Sequence, residues 1–263
     1  MTRIHQTLLA CLAAALLLLA PATIPGAWSA DHKNLEEGLP VEVEDAYPIA
    51  YRGTELQGLF RYDRQEHKDR FTLEPRLEMG IAPNAQARIT SPFFAGNADK
   101  TGSGDVALEL FYNFNMESLY VPALALSAEA EFPSGHRSNG VDTTVKFIAS
   151  KMPFVNSSWL HRLHLNMAWT HNSGREEKER ADMYKAILGF SGRVDPDTIL
   201  VMDILRETER EKDKELNIVE VGLRRQLTPL TVVAIGVGAG IGDESPDFRA
   251  TVAFQHALTW PWF

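Results

Sequence analysis

Three short runs in this chain hold the residue types of a catalytic or metal site. Glu129-Ala130-Glu131 sets two carboxylates two residues apart. On an extended backbone such neighbours share a face at about 6.5–7 Å, a separation at which paired carboxyls can invert a glycosidic bond. His161-Arg162-Leu163-His164 has the spacing of two metal ligands on a helix. On a strand, residues three apart point to opposite faces and cannot chelate one ion. His136-Arg137-Ser138-Asn139 offers a base and a hydroxyl nucleophile, which act only within mutual hydrogen-bond reach and with an orienting acid. Each reading depends on the element that carries the residues.

The chain has 263 residues, 44% hydrophobic and 23% charged, with a net charge of −9. Net acidity argues against a nucleic-acid partner, which needs clustered Lys and Arg. Mean hydropathy is −0.18, so this is no bundle of membrane helices; a transmembrane barrel is apolar on only one face of each strand and escapes that test. Residues 1–29 have the layout of a cleaved signal peptide: Arg3, an apolar run over 8–20, then small residues ending in Ala27-Trp28-Ser29. The run is too short for a spanning helix, which needs about 20 residues. The single cysteine, Cys11, lies inside it. Leu8-Leu9-Ala10-Cys11 resembles a lipoprotein box, but the apolar run continues beyond it, so cleavage there is rejected. The mature chain begins near Ala30, carries −10 once Arg3 is lost, and has no thiol for disulfides or metal. No cofactor or metal is expected.

Residues 30–55 are acidic and without a clear period, and read as a periplasmic N-terminal segment whose start, 31–40, is a tail. From about residue 56 the pattern changes to period-two alternation, the signal of a half-buried strand. Leu124, Leu126, Ala128, Ala130 and Phe132 alternate with Ala125, Ser127, Glu129 and Glu131; Leu163, Leu165, Met167 and Trp169 alternate with Arg162, His164 and Asn166. Twelve such segments occur: 56–63, 71–81, 86–94, 105–115, 122–132, 142–152, 158–170, 182–193, 198–206, 215–226, 231–241 and 248–258. Their connections alternate between a short set (82–85, 116–121, 153–156, 195–197, 227–230) and a longer or more polar set (64–70, 95–104, 133–141, 172–181, 207–214, 242–247). This is the plan of an all-β protein, a transmembrane antiparallel up-and-down β-barrel of about 12 strands over 56–263 in a bacterial outer membrane. An even count places both termini on the short-turn, periplasmic side.

Two other readings compete. The charge runs in 175–188 and 200–216 would suit a helical hairpin, although Asp195-Pro196-Asp197 between two apolar runs favours strands. A soluble antiparallel sandwich is opposed by apolar faces in nearly every strand and by aromatics near strand ends. Tyr62, Phe71, Phe93, Phe132, Trp169, Tyr184 and Phe248 fall near one rim; Phe114, Tyr120, Phe154, Trp159, Phe190, Trp260 and Trp262 fall near the other. The terminal Phe263 resembles the signal read by the outer-membrane assembly machinery, with Pro261 departing from it. Expected partners are that machinery, outer-membrane lipids and a small-molecule permeant.

Local patterns over 71–151 carry a family resemblance. These are Phe71-Thr-Leu-Glu-Pro-Arg-Leu-Glu-Met-Gly-Ile-Ala-Pro-Asn, Gly102-Ser-Gly-Asp-Val-Ala-Leu-Glu-Leu-Phe-Tyr-Asn-Phe, Pro122-Ala-Leu-Ala-Leu-Ser-Ala-Glu-Ala-Glu-Phe-Pro-Ser-Gly and Ile148-Ala149-Ser150-Lys151. Together they resemble the outer-membrane family labelled "MetA-pathway of phenol degradation". The resemblance implies a barrel that passes small, aromatic or hydrophobic molecules, and supplies no catalytic residue.

With the apolar face in lipid, the polar face lines a lumen. Candidates for its constriction are Glu78, Arg88, Glu109, Glu129, Glu131, Lys146, His164, Glu220 and Arg224. Folding the chain at its turns sets Glu78 by Arg88, and Glu109, Glu129, Lys146 and His164 in one row. The expected function is a passive channel. The alternatives are a structural barrel with a plugged lumen, or an outer-membrane hydrolase, since His136-Arg137-Ser138-Asn139 resembles the His/Ser pair of lipid A deacylases. That run sits mid-chain in a loop, where such residues are ordinary turn formers, so no catalytic residue is assigned.

Overall fold

The computed structural model describes residues 29–98, 101–136, 139–153, 157 and 160–259. The expected signal segment with Cys11, the loop residues Arg137 and Ser138, and Phe154, Trp159, Trp260, Trp262 and Phe263 lie outside the described residues.

The strands are β1 (Thr54–Gln65), β2 (Lys68–Ala82), β3 (Ala85–Thr90), β4 (Phe93–Gly96), β5 (Gly102–Ser103), β6 (Val106–Asn115), β7 (Ala123–Phe132), β8 (Asp142–Lys151), β9 (Arg162–Asn172), β10 (Asp182–Asp195), β11 (Thr198–Thr208), β12 (Glu215–Thr228), β13 (Thr231–Gly240) and β14 (Phe248–Ala257). From β6 onward consecutive strands pair antiparallel, β6 pairs back to β3 and β3 to β2, and β1 pairs with both β2 and β14, so the sheet closes on itself. β3 and β4 are two halves of one stave beside β2, which makes a closed barrel of twelve staves. The break falls at Ser91-Pro92, where proline has no N–H to give the ladder. β5 is a short return against β4.

Alternation explains the wall. On β6, Leu108, Leu110, Tyr112 and Phe114 face outward and are 40–58% exposed, while Ala107, Glu109, Phe111 and Asn113 between them are 2–5% exposed. A one-residue slip would turn every apolar side chain inward, so the pattern fixes the register. Aromatics gather at the two ends of the wall. Tyr62 packs on Phe71 with centroids 5.0 Å apart and on Phe248 at 6.4 Å near the loop rim. Tyr112 meets Phe114 edge-on at 5.2 Å near the rim that carries the strand termini Thr54 and Ala257.

The twelve predicted strands are present, with four local differences. The connection expected over 64–70 is a two-residue turn at Glu66-His67, because β1 and β2 extend to Gln65 and Lys68 and take Arg64, Lys68 and Arg70 into the ladder. Glu66 has φ +52° there. The segment expected over 158–170 begins only at Arg162, which lengthens the connection from β8. The helical alternative over 175–188 and 200–216 fails: these residues run through β10, β11 and β12, with Glu179 and Glu211 bridged between their loops.

The fourth difference is the largest. From sequence, residues 30–55 are a periplasmic segment N-terminal to the barrel. The structure places this segment inside it: Leu35, Glu36, Leu39, Val41, Val43, Glu44, Asp45 and Ala46 are each at most 2% exposed. Its lack of a simple period follows, because a strap surrounded by wall meets apolar and charged partners in turn.

The outward face yields a test. Ile235, at the middle of β13, is 58% exposed. Ile235→Lys should lower stability in lipid vesicles by about 2–4 kcal/mol, and Leu119→Lys in a rim turn by at most about 1. Urea unfolding midpoints check both.

Candidate functional site

The site is the lumen and the strap that fills it. From Ala30, packed on Val232 and Ala257 at the terminal rim, the chain climbs to a tight turn and returns to β1. Gly38 N–H donates to Val41 O at 2.8 Å, Leu39 N–H to Glu36 O at 3.0 Å, and Asp45 N–H to Leu35 O at 3.0 Å. Gly38 holds φ +78°, a conformation that favours glycine, and faces the side-chain ends of Leu59, Arg61 and Arg76. Three apolar patches of the inner wall receive the strap. Leu35, Val41 and Val43 pack on Ile187, Ile199, Val201, Leu205 and Ile218. Leu39 meets Leu59, Ala234 and Ala253. Ala46 meets Phe111, Ala123, Ala125 and Ile148.

A buried backbone N–H must find an acceptor, and here wall side chains supply them. Glu42 N–H donates to Glu220 (3.2 Å), Val43 to Asp203 (2.7 Å), Glu44 to Asn166 (2.8 Å), Ala46 to Ser150 Oγ (3.0 Å) and Ile49 to Gln86 (2.7 Å). Asn166 also donates to Glu44 O at 2.8 Å, and Asn113 to Ala46 O at 2.6 Å. Arg224 binds the ascending arm: its guanidinium donates to the carbonyls of His32 (3.0 Å), Asn34 (2.6 Å) and Leu39, and to Gln255 (2.7 Å).

Ion pairs join strap to wall. Glu36 meets Arg88 at 3.0 Å, and Glu44 meets Lys146 at 2.5 Å and Arg88 at 3.4 Å. Glu37 is shared by Lys146 (2.6 Å) and Lys185 (2.7 Å). Glu42 is shared by Arg61 (2.6 Å), Lys185 (2.9 Å) and Arg249 (3.3 Å). At the terminal rim, Tyr47 lies under the Arg162 guanidinium at 4.7 Å, and Glu117 takes Arg162 and Lys151 at 3.2 Å each.

The structure places the expected lumen residues on the interior side of the wall, in separate groups. Glu78 and Arg88 are direct cross-strand partners, and Arg88 also pairs with Glu109 and with the strap. Glu109 faces Glu129 across β6 and β7, with Lys146 3.5 Å from Glu109. His164 is not in that row. Its strand register sets it against Ser150 and Gly189, and its ring bonds Ser150 Oγ (2.9 Å) and Ser191 Oγ (3.1 Å) beneath Ala46. Glu220 and Arg224 hold strap backbone. Glu131 and Glu129 line a cavity of about 790 Å³ that opens toward the loop rim and ends at Glu37, Gly38 and Glu42 of the strap. A smaller cavity of about 220 Å³ lies among Glu37, Glu109, Glu129, Lys146 and Lys185. His136 lines the larger cavity, away from the His164 network. Among the described residues no group of three His, Cys, Asp or Glu side chains has metal-site geometry.

Sequence reading missed the strap's carboxylates, the uncharged acceptors Gln86, Asn113, Ser150 and Asn166, and Arg249. A signal for the first was present: Val41-Glu42-Val43-Glu44 is itself a short alternation. The others are polar residues at inward positions of apolar-out strands.

No protein-family model and no curated protein sequence matches the chain. By fold it is similar to an outer membrane channel from Pseudomonas putida F1, with TM-score 0.62 and 13% identity over 90% of this chain and 100% of that one. The NanC porin superposes with TM-score 0.55 and 11% identity over 79% and 100%. The KdgM porin, solved with disordered oligogalacturonate, gives 0.54 and 12% over 77% and 99%. At such identities the likeness establishes the fold, that of the closed antiparallel outer-membrane barrel.

Two tests follow from the strap contacts. Arg224→Lys keeps the charge but loses the planar fork; with charge-assisted bonds worth about 1.5–3 kcal/mol each, cleavage of the folded protein after Glu36–Glu44 by a glutamate-specific protease should quicken at least about tenfold. Asp45 accepts the N–H groups of Leu35 (3.2 Å) and Tyr47 (3.0 Å), and burial pushes its carboxyl up to about 7. Released, that carboxyl returns to about 3.9. The docked strap therefore binds the extra proton, and docking weakens as pH rises from about 4 to about 7. Asp45→Asn should flatten this component, read as the difference between the two proteins' protease-sensitivity curves from pH 5 to 8.5.

Proposed function

We propose that this protein is an outer-membrane channel for small molecules, exported by its N-terminal segment, with both termini periplasmic and its lumen closed at rest by residues 30–53. The observation that carries the reading is what fills the lumen. A narrow barrel can be filled by side chains of its own wall; here a continuous stretch of backbone occupies it, and the wall provides acceptors and counter-ions for that backbone. A filling attached at one end can leave, and a barrel of twelve staves lies between those closed by their own side chains and open porins.

Three further features support the reading. The cavity above the strap faces the loop rim, the outer side in this orientation. The lipid-facing wall is continuous and apolar. The similar folds include porins, although their low identity brings no substrate with it. The resemblance over 71–151 points to aromatic or hydrophobic permeants. The vestibule that such a molecule meets is lined by Arg61, Glu74, Arg76, Glu129 and Glu131, an excess of carboxylate that favours a permeant bearing positive charge; an aromatic ammonium ion satisfies both.

Planar-bilayer conductance tests the channel. The parent protein should be nearly closed, and Glu42→Gln combined with Glu44→Gln should raise conductance at least about tenfold, since breaking buried ion pairs costs about 3–5 kcal/mol. Equal, negligible conductance in both proteins, with the strap cleavable in the variant, would favour a structural barrel. Liposome swelling with benzyltrimethylammonium, benzoate and a neutral sugar then ranks permeants; benzyltrimethylammonium should enter first.

A further inference from the structure

The contacts between strap and wall amount to recognition of a peptide. Along residues 42–44 three consecutive N–H groups meet side chains from three strands, Glu220 on β12, Asp203 on β11 and Asn166 on β9. Asn166 answers both the N–H and the carbonyl of Glu44, at 2.8 Å each, which is how one amide side chain reads a backbone unit. Side chains are read as well. Glu42 and Glu44 each meet at least two cations.

The apolar positions between them enter hollows that glycine leaves in the wall. A β-carbon on Gly189 would lie 2.9 Å from both methyl groups of Val43; one on Gly222 would collide with Pro40 and stand 3.3 Å from a Val41 methyl; one on Gly236 would stand 2.9 Å from Pro40 O. Adjacent strands thus supply acceptors for an extended backbone, counter-ions at alternate residues and pockets at the residues between. Those are the elements of extended-peptide recognition, in which backbone bonds give affinity and alternating pockets give specificity.

We propose that the inner wall of this barrel is a binding site for extended acidic peptides, read by the contacts that hold residues 40–46, and that free peptides alternating glutamate with small apolar residues compete with the strap for it. The proposal deepens the channel reading by naming a ligand class for the same lumen. In the parent protein the strap is present at an effective concentration on the order of millimolar, so a free peptide at micromolar concentration is excluded. Weakening the strap by Glu42→Gln and Glu44→Gln in the full chain vacates the site without touching the wall.

The probes are the fluorescently labelled octapeptide of residues 40–47 and its counterpart with glutamine at both glutamates, titrated by anisotropy into the detergent-folded proteins. The doubly substituted protein should bind the glutamate peptide at least tenfold more tightly than the glutamine peptide, and the parent should bind neither at micromolar concentration. Asn166→Leu or Lys146→Met added to the doubly substituted chain should weaken glutamate-peptide binding at least tenfold; heat-modifiable migration identifies which of the two folds, and either suffices.

Equal binding of both peptides, or of neither, overturns the proposal. So does a strap that stays protected from a glutamate-specific protease in the doubly substituted chain, because the carboxylates would then not be what the wall reads. Conductance separates the two readings. An open protein that binds neither peptide loses the peptide site and keeps the channel; one that binds the glutamate peptide and never conducts keeps the site and loses the channel.

Discussion

The structure turns on one electrostatic fact: the interior of this barrel is charged, confined and largely buried, so each wall cation needs a partner at contact distance. Removing an ion from water costs several kcal/mol even after relaxation, and Arg61, Arg88, Lys146, Lys185 and Arg249 all point inward. The wall answers part of this need itself, through Glu109 for Arg88 and Lys146 and through Asp63 and Glu220 for Arg249. Strap carboxylates answer the rest. Arg224 shows the same logic without a carboxylate: apart from one bond to Gln255 of the wall, its donors go to carbonyl oxygens of the strap.

The constraint propagates outward through the sheet. Alternation that sends Leu108, Leu110 and Tyr112 into lipid necessarily sends Glu109 and Phe111 inward, so the same strands that satisfy the membrane create the interior problem. The antiparallel register then brings inward residues of neighbouring strands into rows, and each row meets a different part of the strap. Asn166, Ser150 and Gln86 lie on three different strands and serve residues 44, 46 and 49 in order. The strap therefore crosses the strands, and its position is set by many strands at once.

The fold was largely legible from sequence because membrane and lumen impose opposite polarity on adjacent residues, and period two survives any local composition. Strand limits were less legible where charge runs, such as Arg64 to Arg70, continue in register past the apolar band. The inward face was recognisable residue by residue, yet its partners were not: Glu78 and Arg88 are neighbours by simple folding, whereas the Lys146 contacts with Glu37 and Glu44 span over a hundred positions. His164 stands four residues of register from the partner of Lys146, which takes it out of the ionic row and into a serine network. The strap reads in sequence as a periplasmic segment with a tail at 31–40, since acidity without a long period describes solvated chain and strap alike; what separates them is the environment, visible only once the wall is closed.

The pairing of β1 with both β2 and β14 has a consequence for assembly. A barrel is sealed at one joint, and here the strand that forms it is continuous with the strap. The contents and the seam are thus tethered within a few residues of each other, at Gly53 and Thr54, where Gly53 N–H bonds Ala50 O and Gly80 bonds Gly53 in return. An empty cylinder has a wall and no interior to consolidate it. This chain instead has a centre, contacted from most of its circumference, and that centre is attached to the strand at which the first and last staves meet. The dependence runs one way: whatever frays β1 from β14 also slackens the anchored end of the filling, whereas the filling can leave its wall contacts with β1 still paired on both sides.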